Sequence, residues 1–116
     1  MRVTISAAIL CLATFGYAAQ AQDGSAPPHP FTETFLSDEA NIVAGSEIWQ
    51  EQCRHCHGRA AYPGKAPKLR PAKLEPDFVY RRVTDGFRKM PAWKDFYSDE
   101  QRMQVTAYIL SDKFSP

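Results

Sequence analysis

The sequence predicts an all-α fold of three to four helices, and three observations carry that expectation. Apolar residues recur at helical intervals in three separate segments, helix-starting residues stand before those segments, and no stretch reads as a strand. Length and composition agree. The 116 residues are one domain's worth, and 44% hydrophobic with 23% charged residues is the balance of a globular chain rather than a disordered one.

The amino end stands apart from that domain. Met1 and Arg2 give a positive start, residues 3 to 17 are nearly all apolar or small, and Ala19-Gln20-Ala21 fits the cleavage pattern of a secretory signal. The expectation is a signal peptide over residues 1–21 and a mature chain from Gln22, hence export to the periplasm. An uncleaved anchor is the competing reading, but the apolar stretch is short of the roughly 20 residues that a spanning helix needs. With the signal removed, no stable membrane insertion is expected. Cys11 is a poor lipid anchor, since bulky Leu10 precedes it.

Residues 22–36 read as a flexible leader, because Pro27, Pro28 and Pro30 disfavour regular structure. His29 lies in that leader and is assigned no role. The domain proper is expected over residues 37–116. Its first helix runs from Ser37 to about Cys53, with Ile42, Gly45, Trp49 and Cys53 on one face and Ser37 or Asn41 as cap. Gly45 in mid-helix costs up to about 1 kcal/mol relative to alanine, which close approach of another helix would justify. Residues 58–73 form a loop rich in proline and glycine.

Pro76 in a first-turn position, flanked by Glu75 and Asp77, opens the second helix. Phe78, Val79 and Val83 are its expected apolar side and Gly86 its stop. A second loop carries Met90-Pro91 and Trp93. Ser98 with Gln101 then forms a capping box for the last helix, whose inward stripe is Val105, Tyr108 and Ile109.

The residues with chemistry are Cys53-Arg54-His55-Cys56-His57. C-x-x-C-H is the spacing that attaches a c-type haem: both thiols form thioethers with the haem vinyl groups and the adjoining imidazole reaches the iron. Structural zinc wants four N or S ligands, and outside the motif the chain offers only Cys11 and His29. A thioredoxin-like dithiol needs a strand before the motif, and none is read there. A plain Cys53–Cys56 disulfide leaves His57 unexplained. Haem attachment outside the cytoplasmic membrane agrees with export. A mature chain this small has limited apolar surface to bury, so one covalent haem is expected to complete its core and to be needed for folding.

With that motif between a helix and a proline-bearing loop, then a helix, a Met-Pro loop and a closing amphipathic helix, the chain resembles a class I cytochrome c from about Ile42 to Phe114. The resemblance implies that Gly45 and Trp49 of the first helix meet Tyr108 of the last. It implies that Met90 is the axial ligand opposite His57: Met1 falls in the expected signal, Met103 lies inside the last helix, and Met90 precedes a proline 33 residues beyond His57. A packing role is the alternative for any methionine. It also implies that the carbonyl of Pro67 accepts from the other nitrogen of His57, with Pro63 as the weaker candidate. Trp93 packs near the haem or bonds a propionate through its indole N–H, or is ordinary core. Arg70 either pairs with a propionate or is solvated, and His55 is exposed.

A His/Met pair leaves no open position on the iron and raises its reduction potential relative to more strongly donating ligand sets. The implied activity is electron carriage, with no residue in a bond-making role. The proposed route runs from a dehydrogenase or membrane complex to an oxidase. The alternatives are a haem subunit of a larger oxidoreductase, or a sensor or peroxidase if Met90 is labile.

Charge is segregated along the chain. Residues 22–53 hold six acids and no Lys or Arg, whereas residues 54–94 hold eleven basic residues against three acids. Since the second stretch should wrap the haem, its rim is expected to be positive and to steer acidic redox partners. Clustered but merely solvated charges are the plain alternative. Nucleic-acid binding is not supported, for no basic helix accompanies a recognition motif.

Overall fold

A computed structural model describes residues 27–59 and 64–114. The expected signal, the start of the leader and Pro63 lie outside the described residues. The described chain is helical: α1 (Glu33–Ser37), α2 (Glu39–Ile48), a π-helical turn (Trp49–Cys53), α3 (Arg54–His57), a 3-10 turn (Pro71–Lys73), α4 (Pro76–Asp85) and α5 (Asp99–Leu110). Because α2, the π turn and α3 run on without a break, the helical bodies are four among the described residues. The extended pairing among them is one isolated bridge between Phe87 and Met90.

Local chemistry sets each start. Asp38, rather than Ser37 or Asn41, caps α2 by accepting from the N–H groups of Ala40 and Asn41. Thr32 caps α1 in the same way, through the Phe35 N–H. That short helix occupies the end of the stretch expected as a flexible leader. It forms because Phe31 and Phe35 meet edge to face and Phe31 continues onto Tyr80 of α4. Pro76 opens α4 and Gly86, at φ 72°, closes it. At α5 both halves of the capping box are made: Ser98 Oγ accepts from the Gln101 N–H and Gln101 Oε1 accepts from the Ser98 N–H.

The core is the crossing of α2 over α5. A Cβ placed on Gly45 would lie 2.1 Å from the Gln104 carbonyl oxygen and 2.9 Å from Tyr108 Cβ, so only glycine lets the two backbones approach this closely. Trp49 and Tyr108 then bury the first turns beyond the contact. Phe114, which the helical pattern does not mark, folds back past the end of α5. Its ring meets Trp49 edge to face at 4.6 Å and Tyr108 at 5.4 Å.

The expected stripe of α5 is buried, but so are Arg102, Met103, Thr106 and Ala107, because α1, α2 and α4 all pack on this helix. Met103 is fully enclosed. On α4 the sequence places Phe78 inside, and the structure places it 40% exposed. Val79, Tyr80, Val83 and Thr84 fill the inner face instead, while Phe78 lies one turn from Arg82 and under its guanidinium. Among the described residues no helix is long and apolar enough to cross a membrane.

Candidate functional site

The π turn delivers the Cys-His motif. Its wider winding lets Trp49 sit fully in the core while Cys53, one turn on, still packs partly against the same cluster; such single π turns are frequent at functional sites. The motif spans the join, with Cys53 closing the π turn and Arg54 to His57 forming α3. Cys56 and His55 are exposed, and His55 Nε2 lies 3.0 Å from the Glu51 carbonyl oxygen. His57 is half-buried.

Both thiols are free, so the disulfide alternative is not realised. Burial, with Cys56 alongside, pushes the Cys53 thiol up to about 12. A redox-active dithiol needs a thiol shifted the other way. No group of three or more potential metal-ligating His, Cys, Asp or Glu side chains gathers among the described residues.

Burial lowers the pKa of His57 and so favours the neutral imidazole, the form in which it ligates a metal. Its Nδ1 is buried and without a hydrogen-bond partner among the described residues. Pro67, the expected acceptor, is exposed and its carbonyl is not bonded to this nitrogen. Behind the imidazole stands Trp49, ring centroids 5.6 Å apart. The Trp49 indole N–H donates to the carbonyls of Gly58 at 3.2 Å and Arg59 at 3.0 Å, fixing the turn that leaves the motif through Gly58 at φ 87°.

A second clamp crosses the motif from the following loop. The Ala66 N–H donates to the Cys56 carbonyl at 2.7 Å. A Cβ on Gly64 would stand 2.3 Å from that same oxygen, so glycine is what lets the loop lie flat on α3. Sequence reasoning marks Trp49 only as core and Gly64 only as loop. The lone signal it offered for these clamps was a glycine among prolines after the motif.

Met90 is held by a tight turn. The N–H of Phe87 donates to the Met90 carbonyl at 3.0 Å and the Met90 N–H returns to the Phe87 carbonyl at 2.9 Å, with Arg88 at φ 55° between them. Gly86 makes the closure possible, for a Cβ there would lie 2.5 Å from the Met90 carbonyl oxygen. Met90 and Trp93 are both partly buried and packed on the core cluster to which Cys53 also packs. The Trp93 backbone N–H ties the loop to the end of α4 through the Val83 carbonyl, 3.1 Å away.

Trp93 and Cys53 line one apolar cleft with Ile48, Val83, Tyr97 and Val105. Arg70 is exposed on the lead-in to the 3-10 turn. These residues fit a covalently attached haem. Two free thiols stand within one turn of each other, a neutral imidazole carries an unpartnered buried nitrogen, and an apolar cleft is lined by one of the thiols.

Comparison with known proteins agrees. Residues 40–109 match the family model described as cytochrome c oxidase, cbb3-type, subunit III. The chain is 35% identical over 78 residues to cytochrome c6 of Anabaena variabilis, across 61% of this chain and 91% of that one. It is 32% identical over 93 residues to the quinohemoprotein alcohol dehydrogenase ADH-IIG of Pseudomonas putida, a match that takes in 72% of this chain but spans only 12% of that protein. The fold is that of the crystal structure of cytochrome cL from Methylophaga aminisulfidivorans, with a TM-score of 0.58 at 18% identity over 65% of this chain and 57% of that one. With the thiols, the imidazole and the helical frame all in place, the chain belongs to this cytochrome c family, as a small class I c-type cytochrome with covalently bound haem c.

Proposed function

We propose that the protein is an exported, periplasmic one-electron carrier whose haem is held by Cys53 and Cys56 and whose iron lies between His57 and Met90. The observation that carries this reading is the pairing of the motif helix with a rigidly closed methionine turn, both packed on one apolar cluster. When bound, haem c supplies a reversible one-electron iron couple. The chain's part is to hold two thioethers, present a neutral imidazole, exclude water with Trp49, Val83 and Trp93, and keep the methionine sulfur within a fixed turn. With His57 and Met90 as its iron ligands, the bound haem would offer no site for a substrate.

Electron exchange then needs only a brief contact. The lip of the methionine turn is basic and aromatic: the Arg82 guanidinium lies 3.9 Å from the Phe87 ring centre and that of Arg88 5.1 Å. Phe87 is 49% exposed there, and Phe96, against Trp93 on the same loop, is 74% exposed. Such a lip suits the acidic face of a dehydrogenase, oxidase or membrane complex, through a small and salt-sensitive interface. In this reading the Pro67 carbonyl is the acceptor for His57 Nδ1 in the haem-loaded protein, and Trp93 packs on the haem.

The test is the oxidised protein, made in a host with haem-attachment machinery. Its mass should exceed that of the polypeptide by one haem, and a weak absorption band near the red end of the visible should report methionine on ferric iron. In Met90→Ala the band should vanish and the reduction potential fall while the haem mass stays. A band that survives this substitution removes Met90 from the iron. A second reading, a haem subunit of a larger oxidoreductase, draws on the dehydrogenase of which only 12% matches this chain. Size-exclusion of the native protein from its own source separates the two, since a permanent subunit does not elute alone.

A further inference from the structure

One wall of the cleft carries a buried charge that haem attachment and axial ligation do not use. Arg102, on α5, is 4% exposed and lines the cleft together with Cys53 and Trp93. Its Nη2 pairs with the Asp99 carboxylate, and its Nε–H donates to the Ser98 carbonyl at 3.4 Å. Its Nη1 is buried and has no hydrogen-bond partner among the described residues. The Tyr80 hydroxyl donates to the same Asp99 oxygen at 3.0 Å, and the guanidinium carbon lies 5.3 Å from the Tyr80 ring centre.

The pair is therefore lopsided. The arginine side chain is 5% exposed and the aspartate side chain 29%, so solvent screens the negative end while the positive end is enclosed by the protein beside the Tyr80 ring. Burying a cation with one N–H group unsatisfied is costly, and a buried ion pair is weak evidence of a stabilising role, because an apolar side chain of similar volume often serves as well. Helix α5 already has its cap and its apolar face. An arginine at this place sets a buried positive charge behind the wall of the cleft that Cys53 shares.

Given the haem-binding reading, we propose that Arg102 tunes the reduction potential of the bound haem, its buried positive charge favouring the reduced state and Asp99 moderating the effect from the solvent side. The electron comes from the redox partner protein, and taking it up lowers the haem's net charge by one with no bond made or broken. A fixed cation nearby makes that uptake more favourable, and in a buried setting of effective dielectric about 20 its influence is several times larger than in water.

The test is spectroelectrochemistry on the full haem-loaded protein and three variants. In Arg102→Met the reduced-to-oxidised ratio at a given applied potential should fall about tenfold, which is about 59 mV for a one-electron couple. In Asp99→Asn the ratio should rise, by less, since the carboxylate is partly screened. Arg102→Lys should keep the ratio within about threefold of the parent, as expected for a partial retention of the same charge. General loosening of the cleft admits water and lowers the ratio in both Arg102→Met and Asp99→Asn. Shifts of the same sign, or no shift in Arg102→Met, therefore overturn the proposal. If Arg102→Met does not fold, the sign for Asp99→Asn decides: a rise supports it and a fall overturns it. Failure of the parent to carry haem sinks the haem reading itself, an outcome distinct from any of these.

Discussion

The α2–α5 crossing and the two loops around the motif are built to different standards of completeness. At the crossing, ring meets ring around Trp49, Tyr108 and Phe114, the helix caps are made, and Gly45 gives the backbones direct contact. Around the motif, by contrast, His57 Nδ1 is buried without a hydrogen-bond partner among the described residues. Met90 and Trp93 are only partly covered, and Phe87 and Phe96 face solvent. Interiors of native proteins rarely leave polar atoms unpaired. The polypeptide completes its own helix crossing and leaves the other half of the core to be finished by a group it does not encode.

That contrast is broken most severely by taking away the covalent anchor. In the double variant Cys53→Ala, Cys56→Ala the secreted product should have the mass of bare polypeptide. Its amide protons in residues 64–70 and 86–97 should exchange far faster than in the parent, with α2 and α5 the last elements to lose protection. Uniform loss of protection would mean that the crossing depends on haem as much as the loops do.

The crossing can be attacked directly through Gly45→Ala. Alanine is the better helix former by up to about 1 kcal/mol, but its Cβ would lie 2.1 Å from a backbone oxygen that cannot swing aside. Overpacking of this kind costs up to about 3 kcal/mol, so the net effect is a loss of about 2 kcal/mol, read from denaturant midpoints at unchanged m-value. A neutral or stabilising result would show that the helices are free to part.

The finest adjustment lies where the two regions meet, in Trp49→Phe. The ring remains, so the core stays filled, but the N–H that serves the Gly58 and Arg59 carbonyls is lost. Stability should drop by about 1 kcal/mol. The absorption and potential should shift slightly as the turn behind His57 loosens, whereas a purely packing role leaves both unchanged.

How far these regions could be read beforehand differs as well. The spacing of Cys53, Cys56 and His57 named the cofactor class, and the Ser98/Gln101 pair and Pro76 marked the starts of α5 and α4, since capping and thioether spacing depend only on near neighbours. Phe78 was misplaced because neighbouring apolar residues on one helix do not say which of two adjacent faces its partner helix will cover. Asp38 was overlooked as the cap of α2 because three candidate capping residues fall within five positions. Phe114 was marked only as the end of the resemblance and not as core, since it lies past the last helix, where no periodicity reaches.

By itself, then, the order of residues determined the helical class, the haem motif and the segregation of basic residues into positions 54–94, each of them a property of local spacing or count. Only the folded chain decided that Gly64 lies flat against Cys56, that Trp49 reaches past the motif to hold its exit, and that Arg102 is shut inside a cleft with Cys53. Those are meetings between residues from 8 to 49 positions apart. They arise because helices of fixed length must cross at a glycine, and whatever side chains that crossing brings together become neighbours.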